Sequence, residues 1–308
     1  MIKFITDDMI QLAIPQIKRL WEECFIELNS PYGCYYLTNI FYDYKPLVYM
    51  IDNTIVSTAT LIPIKIKEYY NFSGIYIYGV GTLKEYRNKG IASQILDFID
   101  NYSIMNNIDF QILEPDQGNA TALHNFYYKR GYNIDINLRV IELNRQQIEN
   151  MINLDDVLIN VEFEIQPEIF KLLREKNFSK YVSFLYWEEK ELHKCQKAFN
   201  LLPDRRHFLL NLKNKGYAIL LLSNEKEIKK IQIKEFYTGD ISIGSFFKTL
   251  LKIYNGIEKF EFFLPNNDYY TKYLSEKYII KNYSMMKLFK NKHITFNNIF
   301  YFNFGFDI

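Results

Sequence analysis

The stretch between Tyr76 and Leu96 constrains this chain more than any other. Ile75–Thr82 is an apolar, β-branched and aromatic run, which predicts a buried strand. A short basic loop follows, Glu85-Tyr86-Arg87-Asn88-Lys89-Gly90, and then Ile91, Ile95, Phe98, Ile99 and Tyr102 recur at helical spacing, predicting a helix over 90–104. The first N–H groups of a helix have no internal partner and its dipole is positive at that end. Strand, basic glycine turn and helix therefore form a layout that receives an anion. Gly90, Ala92 and Ser93 are small enough to let a phosphate approach the backbone, and Arg87 and Lys89 add charge. The expectation is a phosphate or pyrophosphate cradle; the alternative is an ordinary strand–helix turn with solvated basic residues.

Spacing narrows the choice of cradle. A P-loop needs G-x-x-x-x-G-K-[ST], and neither Gly79 nor Gly81 stands at that distance from Gly-Lys-Ser/Thr. A dinucleotide fingerprint needs G-x-G-x-x-G, but Lys84 occupies the third position. What remains, Arg87-x-x-Gly90-x-Ala92, resembles the (Q/R)-x-x-G-x-(G/A) pyrophosphate loop of the GNAT superfamily of acyl-CoA-dependent N-acyltransferases.

Composition excludes other classes. With 308 residues, two domains are expected. The net charge of +1, from 37 basic and 36 acidic residues, argues against nucleic acid or an anionic membrane as partner. Cys24, Cys34 and Cys195 are scattered, so neither a metal site nor a disulfide framework follows. No signal peptide or bilayer-spanning apolar stretch is present, and the expected location is the cytoplasm.

Along the chain, Met1–Thr6 reads as a strand, Thr6 or Asp7 as a helix cap, and Pro15 as a first-turn residue. Ile17, Leu20, Trp21, Cys24 and Phe25 form one helical stripe, and Pro31 opens an aromatic helical segment, Tyr32–Phe41, which either borders an acceptor pocket or packs on the sheet. Leu47–Ile51, Asp52-Asn53 and Thr54–Lys67 read as a hairpin, with a polar turn at Asn71–Gly74 before the strand Ile75–Thr82. From there the order is strand, helix, strand Asp109–Leu113, a βαβ unit with parallel strands. An antiparallel half joined to a parallel half gives an α/β (α+β) fold with a mixed sheet and a ligand crevice at the carboxyl ends of the parallel pair.

A second motif, Asn119-Ala-Thr-Ala122-Leu-His-Asn-Phe126-Tyr127-Tyr128-Lys129-Arg130-Gly131-Tyr132, resembles the N-x-x-A-x-x-x-Y-x-x-x-G-F ending of GNAT domains. Counting back from Gly131, a natural helix C-terminal residue, puts Tyr127 at the position of the tyrosine that sits beside the thioester sulfur. Counting forward from Asn119 lands on Phe126, so the chain carries one extra residue. Tyr127 is thus the candidate general acid for the leaving thiolate; packing on the sheet is the alternative. No acid stands on the central strand, which offers Tyr76 and Tyr78; Glu114 and Asp116 follow the next strand, and the general base is unassigned. By the resemblance, the backbone of Val80 and Thr82 would hold the pantetheine arm of acetyl-CoA. Arg87, Asn88, Lys89, Gly90, Ile91, Ala92 and Ser93 would wrap its pyrophosphate, with Asn119 nearby and no metal required.

Gly131–Glu142 supplies closing strands and Leu143–Asp156 a boundary. The second half reads as helices Gln166–Asn177 and Val182–Phe199, strands Tyr217–Ser223 and Lys230–Tyr237, helix Ile243–Tyr254, strand Lys259–Leu264, helix Tyr269–Lys277 and strand Tyr283–Phe289. That order repeats the first half from its hairpin onward. The expected domains are a GNAT domain over 1–145 and a degenerate GNAT-like domain over 155–308. The latter's cradle counterpart, Thr238–Gly244, holds no Arg or Lys and carries Asp240. The tandem resembles the enhanced intracellular survival protein family without its sterol-carrier-like third domain, so that family's aminoglycoside acceptor is not carried over. The tail Phe300–Phe306 alternates like a strand that completes a sheet, and an intersubunit strand, hence a homo-oligomer, stays open. The implied function is transfer of an acetyl group from acetyl-CoA to the amine of a small molecule or peptide. The alternative is a non-catalytic acyl-CoA-binding or regulatory protein.

Overall fold

The structure, a computed structural model, describes residues 1–25, 43–67, 71–115, 120–179, 184–201, 207–225, 228–265, 268, 270–274 and 277–289. In chain order the elements are β1 (Ile2–Phe4), α1 (Ile10–Cys24), β2 (Lys45–Ile51), β3 (Thr54–Lys67), β4 (Asn71–Thr82), α2 (Ile91–Met105), β5 (Phe110–Leu113), α3 (Ala120–Tyr128), β6 (Ile134–Asn144) and α4 (Arg145–Glu149). The second half adds α5 (Pro167–Phe178), β7 (Phe184–Tyr186), α6 (Glu189–Leu201), β8 (His207–Asn211), β9 (Tyr217–Glu225), β10 (Ile228–Tyr237), α7 (Ile243–Ile253), β11 (Lys259–Pro265), α8 (Thr271–Leu274) and β12 (Ile279–Leu288). The segment Tyr32–Phe41, Asp116, Asn119 and the tail Phe300–Phe306 lie outside the described residues.

Two compact units emerge: Met1–Ile136 with the strand from Tyr283 onward, and Asn137–Asn282. They differ from contiguous segments 1–145 and 155–308 because strands are exchanged along the chain. Most of β6 pairs with β11 of the second unit, while Met285–Leu288 of β12 pairs with Leu113–Phe110 of β5 in the first.

In the first unit the strand order is β1-β2-β3-β4-β5-β12. Neighbours are antiparallel except β4 and β5, as the βαβ reading requires. The β2–β3 hairpin turns at Asp52 and Asn53 with φ of 46° and 63°, the left-handed pair that matches strand twist. The polar segment Asn71–Gly74 is not the expected turn but the start of β4, paired Lys67↔Asn71 through Ile64↔Gly74. The reason is packing: the Phe110 ring lies across Gly74, where an added Cβ would stand 2.1 Å from it.

Pro15 is also displaced from expectation, standing inside α1 rather than in its first turn. Burial of Ala13, Ile17, Leu20 and Trp21 carries the helix through it, and its exposed face lets solvent replace the missing N–H bond. The opposite face of the sheet holds the main core, where Ile75 and Ile77 of β4 meet Ile95 and Ile99 of α2, Tyr127 of α3 and Met285 of β12.

In the second unit the order is β6-β11-β10-β9-β8, with β10 and β11 parallel and α7 between them in sequence. Its core joins Phe246, Phe247 and Leu250 of α7 to Ile231, Ile233, Phe260 and Phe262 of the sheet. The expected helix Val182–Phe199 is split: Phe184–Tyr186 is extended and the helix begins at Glu189. The Leu185 carbonyl instead accepts from Arg174 Nη1 at 2.9 Å. Strand β8 was not anticipated; its five residues are too few to show a period. Among the described residues no helix is long and apolar enough to cross a membrane.

Candidate functional site

Strand β4 leaves its parallel neighbour early. The β4–β5 ladder covers only Gly74–Tyr76 against Phe110–Ile112; β5 ends at Leu113, while β4 runs on to Thr82. Leu83 N–H donates to the Val56 carbonyl at 3.0 Å, toward β3. Alternation along the strand therefore turns the backbone groups of Thr82 and Val80 to the other edge, the one along which β5 has ended. Gly79 (φ 63°) sits where the β3–β4 register slips between Thr58 and Thr60, and with Gly81 it lets α1 approach. Added Cβ atoms would meet Trp21 and Phe25 at 2.9 Å each.

The loop beyond β4 is short and fixed at both ends. Leu83 leads into a 3-10 turn, Lys84–Tyr86, whose first N–H is held by the Glu23 carboxylate of α1. Asn88 (φ 60°) and Gly90 (φ 76°) then reverse the backbone into α2. Gly90 is the N-cap residue and no side chain caps this helix end. An added Cβ at Gly90 would meet nothing within 4 Å, so the left-handed conformation calls for glycine here, and the space over the helix end is open. Arg87, Asn88, Lys89 and Gly90 are exposed, Ala92 and Ser93 half-buried, and Ile91 is buried in the core. Lys89 Nζ stands 5.1 Å from the Tyr86 ring centroid.

Arg87 is turned back toward the strand. Its Nε donates to the Thr82 carbonyl at 2.8 Å and its Nη2 reaches Cys24 Sγ at 3.6 Å. The Cys24 thiol also points at the Thr82 carbonyl, at 3.4 Å. Burial pushes the Cys24 thiol up, and the adjoining Arg87 opposes it. The sequence placed Cys24 on an apolar stripe; that it sits beside Arg87 has no signal across a sequence separation of 63. The Thr82 carbonyl is therefore already engaged, and by alternation its N–H lies on the same edge of the strand.

Tyr127 is buried on α3, 5.2 Å from the Phe126 ring and 5.8 Å from the Tyr132 ring. Desolvation raises its pKa to about 12. Gly131 (φ 88°) ends the helix, and Arg130 bonds Asp97 of α2 at 2.7 Å. Beneath, the Tyr132 hydroxyl donates to Gln111 Oε1, and Gln111 Nε2 donates to Ser103 Oγ at 2.9 Å. Lys287 of β12 bonds Asp100 at 2.6 Å. His124 is half-buried on the same helix, and Glu114 accepts from Ser284 Oγ at 3.4 Å. The structure thus gathers the α2 terminus, the end of β4 and Tyr127 in one unit. Among the described residues no group of three or more His, Cys, Asp or Glu could hold a metal.

Residues 8–134 match the family described as acetyltransferase (GNAT) domain. No curated protein matches the sequence. Among solved structures, a probable N-acyltransferase from Enterococcus faecalis superposes with a TM-score of 0.72 at 13% identity, covering 94% of this chain and 72% of that one. A GCN5-related N-acetyltransferase from Kribbella flavida gives 0.69 at 14%, covering 94% and 71%. Eis1 from Mycobacterium abscessus gives 0.62 at 10%, covering 94% and 73%. At these identities the likeness is one of fold, and it spans both units. Residues 8–134 are thus a GNAT acetyltransferase domain, and the protein that carries it is an acyltransferase.

Proposed function

We propose that the protein transfers an acetyl group from acetyl-CoA to a primary amine, on a small molecule or a peptide, by direct attack. The observation that carries this reading is the uncapped, glycine-opened N-terminus of α2, reached by a short loop from the end of β4 where that strand runs on past its ladder with β5. Backbone N–H groups of residues 90–93 and Lys89 would receive the pyrophosphate, while Val80 and the Thr82 N–H would bond the pantetheine arm as an added strand. Arg87 supports the loop by holding it to the strand end. The amine nitrogen attacks the thioester carbonyl, a C–N bond forms and the C–S bond breaks. The ammonium proton leaves to solvent or a base, and the departing sulfur takes a hydrogen bond or proton from Tyr127, which solvent restores. Burial keeps the Tyr127 phenol protonated throughout the neutral range, so the donor is always present. The second unit takes no coenzyme, and the cytoplasm is the expected location.

The second reading, an acyl-CoA-binding or regulatory protein, is favoured by one observation: β4 presents Tyr76 and Tyr78 where an acid could serve as base. Calorimetric titration with acetyl-CoA, beside an Arg87→Ala/Gly90→Glu variant, tests the cradle common to both. Binding abolished in the variant supports it, and no binding by wild type overturns it. Turnover with an amine panel, lost in Tyr127→Phe while binding persists, separates the enzyme from the binder.

A further inference from the structure

We propose that Asp156 is a built-in anion occupying the second unit's counterpart of the coenzyme cradle. The inference rests on the reading of the Gly90 loop as that cradle. Within each unit a strand leads through a helix to a parallel strand: β4–α2–β5 in the first and β10–α7–β11 in the second, with Ile231↔Phe260 and Ile233↔Phe262 in register. The two helix N-termini are therefore equivalent by topology and opposite in state. That of α2 is bare and open at Gly90. That of α7 begins at Ser242, whose Oγ accepts from Ser245 N–H at 3.1 Å.

The Asp156 carboxylate lies directly against this turn. Its Oδ1 accepts from Ser242 Oγ and, at 3.4 Å, from Ser245 Oγ; its Oδ2 accepts from Asn153 N–H at 2.7 Å. Oδ2 stands 1.8 Å from where a Cβ on residue 244 would be, so only Gly244 admits it. The flanking chain is strapped along α7. Val157 N–H donates to Ser245 Oγ (2.9 Å), Ile159 N–H to Thr249 Oγ1 (3.0 Å), and Lys248 Nζ to the Asp156 carbonyl (2.6 Å). The Ser242 hydroxyl and the Asn153 N–H, with Ser245 and the Lys248 charge, hold the Asp156 carboxyl below its usual range. A free phosphate would have to displace a carboxylate tethered in place, whose effective concentration is far above that of a solute. The boundary segment thus closes the second cradle.

The test uses inorganic pyrophosphate and the full chain in a Gly90→Glu background, which silences the first cradle. Adding Asp156→Ala should tighten pyrophosphate binding about tenfold and make Tm rise with pyrophosphate, because the ligand then binds the folded state at the vacated turn. Pyrophosphate response equal to that of the Gly90→Glu parent would overturn the proposal. Should the alanine variant be unfolded alone, its melt is recorded in pyrophosphate, where a restored transition supports the proposal and none overturns it. As a second arm, Gly244→Ala should lower Tm as much as Asp156→Ala, with no further loss when combined; additive losses would overturn it. Failure of wild type to bind acetyl-CoA would undo the function reading and leave these comparisons standing.

Discussion

Arg87 Nε donates to the Thr82 carbonyl oxygen across 2.8 Å, so a residue read from sequence as phosphate-binding charge is also the tie between loop and strand. Replacing it with alanine frees the loop that shapes the helix end. Arg87→Ala should weaken acetyl-CoA binding about tenfold, roughly 1.4 kcal/mol, by calorimetry. Arg87→Lys should not restore it, because an ammonium cannot serve the carbonyl and Cys24 from a planar fork.

Gly90 holds φ of 76° with no atom within 4 Å of an added Cβ. Gly90→Ala should therefore cost about 1 kcal/mol through backbone conformation alone, and Gly90→Asn less, since asparagine tolerates the left-handed region. Thermal melts measure this. Both should weaken acetyl-CoA binding, because a side chain then enters the open space.

Tyr127→Phe should lower kcat about 100-fold with little change in coenzyme affinity. The Tyr127 pKa is about 12 against 10 for the exposed group. Between these values the folded state keeps a proton that the unfolded chain has lost. The stabilisation is thus complete below pH 10 and fades as pH rises to 12, by about 2–3 kcal/mol. Alkaline unfolding should begin at higher pH in Tyr127→Phe, followed by circular dichroism with tyrosinate absorbance.

The buried pair Arg174–Glu235 is bidentate at 2.9 and 3.2 Å, and the Tyr217 hydroxyl donates to Glu235 Oε1 while accepting from Asn177 Nδ2. Glu235→Ala leaves a buried guanidinium uncompensated and should cost about 3–5 kcal/mol in urea unfolding. Arg174→Met/Glu235→Leu should cost much less than the sum of the single variants.

Deleting residues 279–308 should unfold the first unit, because Met285 lies in its core and β12 covers the edge of β5. Circular dichroism of the truncated chain checks this; a native-like melt would show that β5 tolerates an open edge.

The hairpin at Asp52-Asn53, the strand–loop–helix β4–α2 and the Gly131 helix stop were legible in sequence because local chemistry decides each: left-handed turn residues, apolar periodicity and a glycine C-terminus. Where the reading failed, a distant partner prevailed. Gly74 looked like a turn residue but serves the Phe110 ring, and Phe184–Tyr186 left the helical pattern to form a strand.

Sequence alone determined the local pattern of the candidate site, since the spacing of Arg87 and Gly90 before α2, and of Tyr127 before Gly131, is short-range. Tertiary structure decided their surroundings: where the β4–β5 ladder ends, that Arg87 meets Cys24, that Tyr127 is desolvated, and that Asp156 fills the turn at Gly244. Each depends on groups brought together from far along the chain by burial and strand pairing, and no local pattern encodes such a meeting.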